Sequence, residues 1–331
     1  MDRLRFSDEV RVALEAAEDR DVAPADRAEM LMEIASGLQL RPKSPDQLLG
    51  AISLYDRALD LCPDDLPLLS ARVTARRGTA YLAVPGDEPE QLALARDAFE
   101  AALRVFREGG SPEEIAEAEM NLGLTIQNLA GMGKARITDA ISAYQRSLRT
   151  FDRQGFPKEF AILQNNLATA FLSIPFSDER AKMREALAVQ AFEEGLRTVN
   201  LVDHPVEYAM LQNNLGNALQ YASSSHAVEN NLRALDAYDE ALKVRTIDTM
   251  PLEYANTVSN RANCLTNLPD DMEHPEHGNR GNLVTALELY RQSREVFAKH
   301  GEQEKARLVG EACDQLEREL LALGSANGSA S

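Results

Sequence analysis

Apolar positions recur with a helical period along most of this chain. In the segment HPVEYAMLQNNLGNALQ, which begins at 204, Leu211, Leu215, Ala218 and Leu219 fall at i, i+4, i+7 and i+8. On a helix these positions make one apolar stripe. The segments from 111, 156 and 250 read alike: SPEEIAEAEMNLGLTIQNLA, FPKEFAILQNNLATAFLSIP and MPLEYANTVSNRANCLTNLP. In each, a Pro is followed two residues later by Glu114, Glu159, Glu207 or Glu253, and eleven residues later by a small residue. Pro suits the first helical position, where its missing N–H costs nothing. A carboxylate in the first turn meets the positive end of the helix dipole. Ser111 with Glu114 has the spacing of a full capping box.

The small residues are Gly123, Ala168, Gly216 and Ala262, spaced 45, 48 and 46 apart, and the frame extends back to Gly78 and Ala35. A second ladder lies between them. Its segments run from AISLYDRAL at 51 to ALELYRQSR at 286, with anchors Tyr55, Phe99, Tyr144, Phe192, Tyr238 and Tyr290. Two ladders of matching period predict six helical hairpins, in which an aromatic of the second helix packs beside a small residue of the first. A single hairpin cannot bury both faces, so hairpins must stack.

This pattern resembles the tetratricopeptide repeat (TPR) family in a long-repeat form. Gly216, Ala234 and Tyr238 stand for the family's small residue, mid-helix Ala and aromatic, while the usual unit of about 34 residues is lengthened. The resemblance covers roughly residues 24–300. It implies an all-α fold, a right-handed α-solenoid of about six hairpins. The expected repeats are 24–62, 63–110, 111–155, 156–203, 204–249 and 250–300. Residues 1–23 are expected to cap the first hairpin. A helix over 301–323, with Leu308, Cys313, Leu316 and Leu320 inward, is expected to cap the last. Residues 324–331 form a small polar tail expected to be disordered.

The resemblance also implies which first-helix positions face the concave side. Counted from the small residue, they hold an unusual series of side-chain amides. Asn121, Asn166, Asn214 and Asn260 stand at one height, Asn165 and Asn213 beside them, and Asn217, Asn256, Asn263 and Gln220 with Tyr221 on the same face. An amide offers both donors and acceptors and can pair with the backbone of an extended peptide. In the family an Asn ladder at this height grips ligand backbone. The other reading is structural: Asn is a poor mid-helix residue, and the series would bond adjacent repeats and set their pitch. Arg72 and Arg76 are the basic inner residues, a candidate contact for an acidic group.

Composition narrows the partner. Of 331 residues 44% are hydrophobic, enough for a sizeable core, and the net charge of −18 repels phosphate backbones and anionic membranes. The start is charged, and no 18-residue apolar run exists. The expectation is a cytoplasmic protein with a protein or peptide partner, no nucleic acid, no membrane and possible self-association.

Catalytic chemistry finds little footing. Cys62, Cys264 and Cys313 are scattered without a CxxC pair, and no phosphate loop or nucleophile elbow occurs. His274 and His277, in the acidic loop from 270 to 282, are weak metal candidates, because Pro275 breaks any helix that would hold them rigid. No cofactor is expected. The sequence therefore reads as a non-enzymatic protein-binding scaffold or adaptor that holds a peptide or client segment along the Asn ladder. The alternatives are a dedicated chaperone or maturation factor for one client enzyme, and a self-assembly module.

Overall fold

The computed structural model describes residues 8–40, 42, 44–86, 89–175, 179–222 and 226–328. Among them every long element is an α-helix, and no strand occurs. The chain divides into two compact units, Met1–Asp152 and Arg153–Ser331.

The first unit contains α1 (Asp8–Ala16) and three antiparallel pairs. These are α2 (Pro24–Leu40) with α3 (Pro45–Leu61), α4 (Pro67–Ala83) with α5 (Pro89–Gly109), and α6 (Pro112–Gly131) with α7 (Ile137–Ser147). The second unit pairs α8 (Pro157–Leu172) with α9 (Glu179–Leu196), α10 (Pro205–Gln220) with α11 (Ala227–Leu242), and α12 (Pro251–Leu265) with α13 (Arg280–Lys299). It ends in α14 (Gln303–Gly328), packed on α13.

Pro opens each of the first helices, as its fixed φ favours. At α6 the capping box is complete. The Glu114 N–H donates to Ser111 Oγ at 3.2 Å, and the Ser111 N–H donates to Glu114 Oε2 at 2.8 Å.

The small-residue and aromatic ladders meet inside each hairpin. A Cβ on Gly123 would stand 2.5 Å from Cε1 of Tyr144, and one on Gly216 would stand 2.6 Å from Cε1 of Tyr238. The bare backbone lets the ring approach the first helix closely. In two hairpins, α6–α7 and α12–α13, a serine three residues after the aromatic ties the pair again. Ser147 donates to the Ala116 carbonyl at 2.7 Å, and Ser293 to the Ala255 carbonyl at 2.9 Å.

The C-terminal helix departs from the expected pattern in two ways. Cys313 and Leu316 are buried, and Leu320 packs on the same cluster, but Leu308 is exposed and Val309 packs inward instead. Ala306, Val309, Cys313, Leu316 and Leu320 form the actual stripe, a frame one residue later than Leu308 allows. The helix also continues through Gly328, so the tail expected from 324 starts as helix.

Candidate peptide-binding surface

The first helices α8, α10 and α12 are neighbours within the second unit. Asn165 and Asn213 sit in their interior, 7% and 6% exposed, while Asn166, Asn214 and Asn260 are half-buried. These side chains bond to one another. Asn165 Nδ2 donates to Asn166 Oδ1 at 3.3 Å, and Asn214 Nδ2 donates to Asn165 Oδ1 at 2.7 Å. Asn213 Nδ2 donates to Asn214 Oδ1 at 3.0 Å, and Asn213 Oδ1 accepts from Asn260 Nδ2 at 3.3 Å. The row thus joins three first helices through carboxamides alone. Among the described residues Asn166 Nδ2 and Asn260 Oδ1 bond to no protein group.

The row continues into the core. The Thr257 hydroxyl lies 3.0 Å from Asn213 Oδ1 and 2.9 Å from the Glu253 carbonyl, and it accepts from Nη1 of Arg245 at 3.0 Å. Arg245 is 8% exposed, and its Nε has no acceptor. Burial pushes this guanidinium below its ordinary pKa. Sequence reading missed Arg245 and Thr257, although both interrupt columns that are apolar in the other hairpins.

Other ladder positions are engaged elsewhere. Tyr238 donates its hydroxyl to Asn217 Oδ1 at 2.8 Å or Gln220 Oε1 at 2.9 Å, so these amides hold the hairpin's own aromatic. Tyr144 likewise donates to Gln127 at 2.8 Å, and Tyr55 to Gln39 at 3.0 Å. Burial raises the Tyr144 and Tyr238 hydroxyls far above the usual phenol range, so both remain donors. Asn263 Nδ2 donates to the exposed Tyr221 hydroxyl at 2.6 Å. Asn256 is half-buried and makes no side-chain hydrogen bond to a described residue.

In the first unit Asn121 lines a groove of about 340 Å³ with Ser36, Gln39, Arg72, Arg76 and Glu117. Arg72 is tied to Glu114 at 2.6 Å. That bond holds the Glu114 carboxyl below its usual range, against the opposing effect of burial. Arg76 is exposed and makes no ion pair with a described residue. On α6, the helix of Asn121, Glu119 is 2% exposed and accepts from Arg107 at 2.8 Å and Arg146 at 2.7 Å, a buried carboxylate that the repeat frame does not predict.

In the acidic loop, a single turn at Pro275–His277 gathers His274, Glu276 and His277. Pro275 opens this three-residue turn, and no α-helix spans the pair. The ligand atoms lie within 4.8 Å of one another, all three residues are exposed, and the two imidazoles stack at 5.1 Å. Ligands around a tetrahedral zinc at ~2.1 Å stand roughly 3.4 Å apart, and His274 Nδ1 lies 3.3 Å from Glu276 Oε1. Of the cysteines, Cys264 is fully buried, its thiol pushed up to about 12 by burial. None of the three is in a disulfide.

No family model matches the chain, and no curated protein matches it. Among solved structures the chain is similar to the apo form of RapI, at 13% identity and a TM-score of 0.51, over 89% of this chain and 99% of that one. It also resembles YrrB, a TPR protein with an unusual peptide-binding site, at 19% identity and a TM-score of 0.40, over 74% of this chain and 98% of that one. Human IFIT1, solved as a dimer with m7Gppp-AAAA, aligns at 13% identity and a TM-score of 0.42, over 93% of this chain and 68% of that one. The fold is an all-helical array of TPR-like hairpins. Among the described residues, no helix is long and apolar enough to cross a membrane.

Proposed function

We propose that the chain is a non-enzymatic protein-binding scaffold that holds an extended peptide or client segment against the first helices of the second unit. The observation that carries this reading is the row of half-buried Asn166, Asn214 and Asn260, anchored from beneath by buried Asn165 and Asn213. Side chains already immobilised lose little rotamer freedom when a ligand arrives. Their unused N–H and C=O groups match the backbone of an extended segment, giving a grip tolerant of sequence. The same bonds also join neighbouring hairpins, so the structural and ligand roles of the ladder coexist. Asn165 and Asn213 act as struts and the outer three as contacts. Asn217 and Gln220 support the aromatic and contribute at the edge, as do Asn256, Asn263 and Tyr221. Arg76 and Asn121 offer a separate polar patch in the first unit.

A net charge of −18 favours neutral or basic partners over nucleic acid. The buried Cys264 thiol, protonated at neutral pH, supports a binding role over nucleophilic catalysis. The test is affinity capture from the native cell with the full chain, comparing wild type with the triple variant Asn166→Ala, Asn214→Ala, Asn260→Ala. Recovery of the major partner is expected to fall about tenfold or more, with helicity retained. Undiminished recovery would remove the row as the binding surface.

A further inference from the structure

Seven residues after the aromatic anchor, five hairpins carry an apolar or thiol side chain: Cys62, Phe106, Phe151, Val199 and Phe297. The fifth hairpin carries Arg245 instead. Its bonding partner breaks a second column. Thr257 stands where Val73, Ala118, Leu163 and Leu211 are buried. The two polar residues meet in the core at 3.0 Å, and no carboxylate forms an ion pair with Arg245 among the described residues. The Glu253 carboxylate lies near enough to favour the charge without bonding it, and a buried cation held so loosely weakens the fold. What it supplies is a group that can only donate.

That property sets a direction. Arg245 donates to Thr257, so the Thr257 oxygen accepts there and its single hydrogen points away, toward Asn213 Oδ1 or the Glu253 carbonyl. Asn213 turns its oxygen to α12 and its nitrogen to Asn214. Asn214 donates to Asn165, and Asn165 to Asn166. Every link donates the same way. With an apolar residue at 245, each carboxamide could rotate by half a turn without moving its heavy-atom positions, because oxygen and nitrogen are nearly isosteric. A donor-only root occupies one lone pair of the Thr257 oxygen, and the degeneracy is removed when the Thr257 hydrogen goes to Asn213 Oδ1 in place of the Glu253 carbonyl.

We propose that Arg245 is a positioning residue that fixes the direction of the carboxamide relay, so that the row presents N–H donors at Asn166 and a carbonyl acceptor at Asn260. The ligand chemistry follows, resting on the reading of this row as a binding surface: a carbonyl or carboxylate oxygen seats at Asn166 and an N–H group at Asn260. Arg245 itself touches no ligand.

The relay is tested on the full chain without a ligand, by NMR of its isotope-labelled asparagine side chains, in wild type, Arg245→Met and Arg245→Lys. In wild type the bonded side-chain protons of Asn165 and Asn214 are expected to exchange about tenfold or more slowly than those of Asn256. In Arg245→Met that protection is lost or the resonances double, although both residues lie several bonds from the substitution. Arg245→Lys, which keeps a donor-only cation, retains the wild-type pattern. Unchanged Asn165 and Asn214 signals in Arg245→Met overturn the proposal. So does equal disturbance by Met and Lys, which would make side-chain shape the cause.

A second variant needs no change in the core. Asn166→Asp keeps the acceptor for Asn165 but replaces the outward N–H donors with oxygen. Capture of the major partner is expected to fall as far as in the triple alanine variant. Full capture by Asn166→Asp beside loss in the triple variant overturns the donor polarity and leaves the scaffold reading standing. Undiminished capture by the triple variant sinks the scaffold reading, while the NMR result still decides the relay.

Discussion

The side-chain nitrogen of Asn214 lies 2.7 Å from the side-chain oxygen of Asn165, so two successive first helices are joined amide to amide. Asn213, the next residue inward, bonds Asn214, Thr257 and Asn260 at once. Replacing it by Ala strands several buried polar groups. Asn213→Ala is therefore expected to cost about 1–3 kcal/mol in urea unfolding, against little change for Asn256→Ala. Equal costs at the two sites would mean that the relay contributes nothing to hairpin stacking.

The approach of ring to backbone gives a second contrast. A Cβ at Gly123 meets the buried Tyr144 ring at 2.5 Å, while one at Gly37 meets nothing within 4 Å. Gly123→Ala is expected to destabilise by about 1–3 kcal/mol through overpacking. Gly37→Ala, inside α2, is expected to add up to about 1 kcal/mol from helix propensity. Thermal melts of the two single variants measure both signs.

Tyr anchors and Phe anchors carry different first-helix partners. Four residues after the small residue stand Gln39, Gln127 and Gln220 where the ring is Tyr55, Tyr144 and Tyr238, Thr266 where it is Tyr290, but Leu82 and Leu172 where it is Phe99 and Phe192. Tyr144→Phe removes a donor from Gln127 and is expected to cost about 1 kcal/mol. The double variant Tyr144→Phe, Gln127→Leu reproduces the Phe-type pair and is expected to recover much of that loss. A double-mutant cycle in denaturant would reveal additivity, and hence no coupling.

The Glu114 carboxyl is held below its ordinary value of 4.5, first by the Arg72 bond. Its contribution to stability is complete above that value and disappears as pH falls through the lowered folded value. Glu114→Gln is therefore expected to flatten the acid limb of the stability curve below about pH 5 and leave its slope near neutrality unchanged. An unaltered acid limb would show that the bond is equally strong in the unfolded chain.

The hairpin register was legible because it rests on one-dimensional spacing. Pro, carboxylate, small residue and aromatic recur at fixed intervals, and a helix converts intervals into faces. The Tyr–Gln and Phe–Leu pairing was also written in the sequence, as was the interruption of two apolar columns by Arg245 and Thr257. Both are comparisons between repeats, visible once the columns are aligned. Glu119 was harder, since its two arginines lie 12 and 27 residues away on different helices. Stripes through Leu308 and through Val309 have nearly the same period, and only the packing against α13 selects the frame.

By itself, then, the sequence determined an all-helical chain of stacked hairpins and the height at which each asparagine stands. The hydrophobic period and the helix-start residues act locally, so they survive translation from string to helix. What tertiary structure alone decided is which amides are buried between hairpins and which stay half-exposed. Those properties depend on hydrogen bonds of 2.7 to 3.3 Å between side chains more than forty residues apart in the chain.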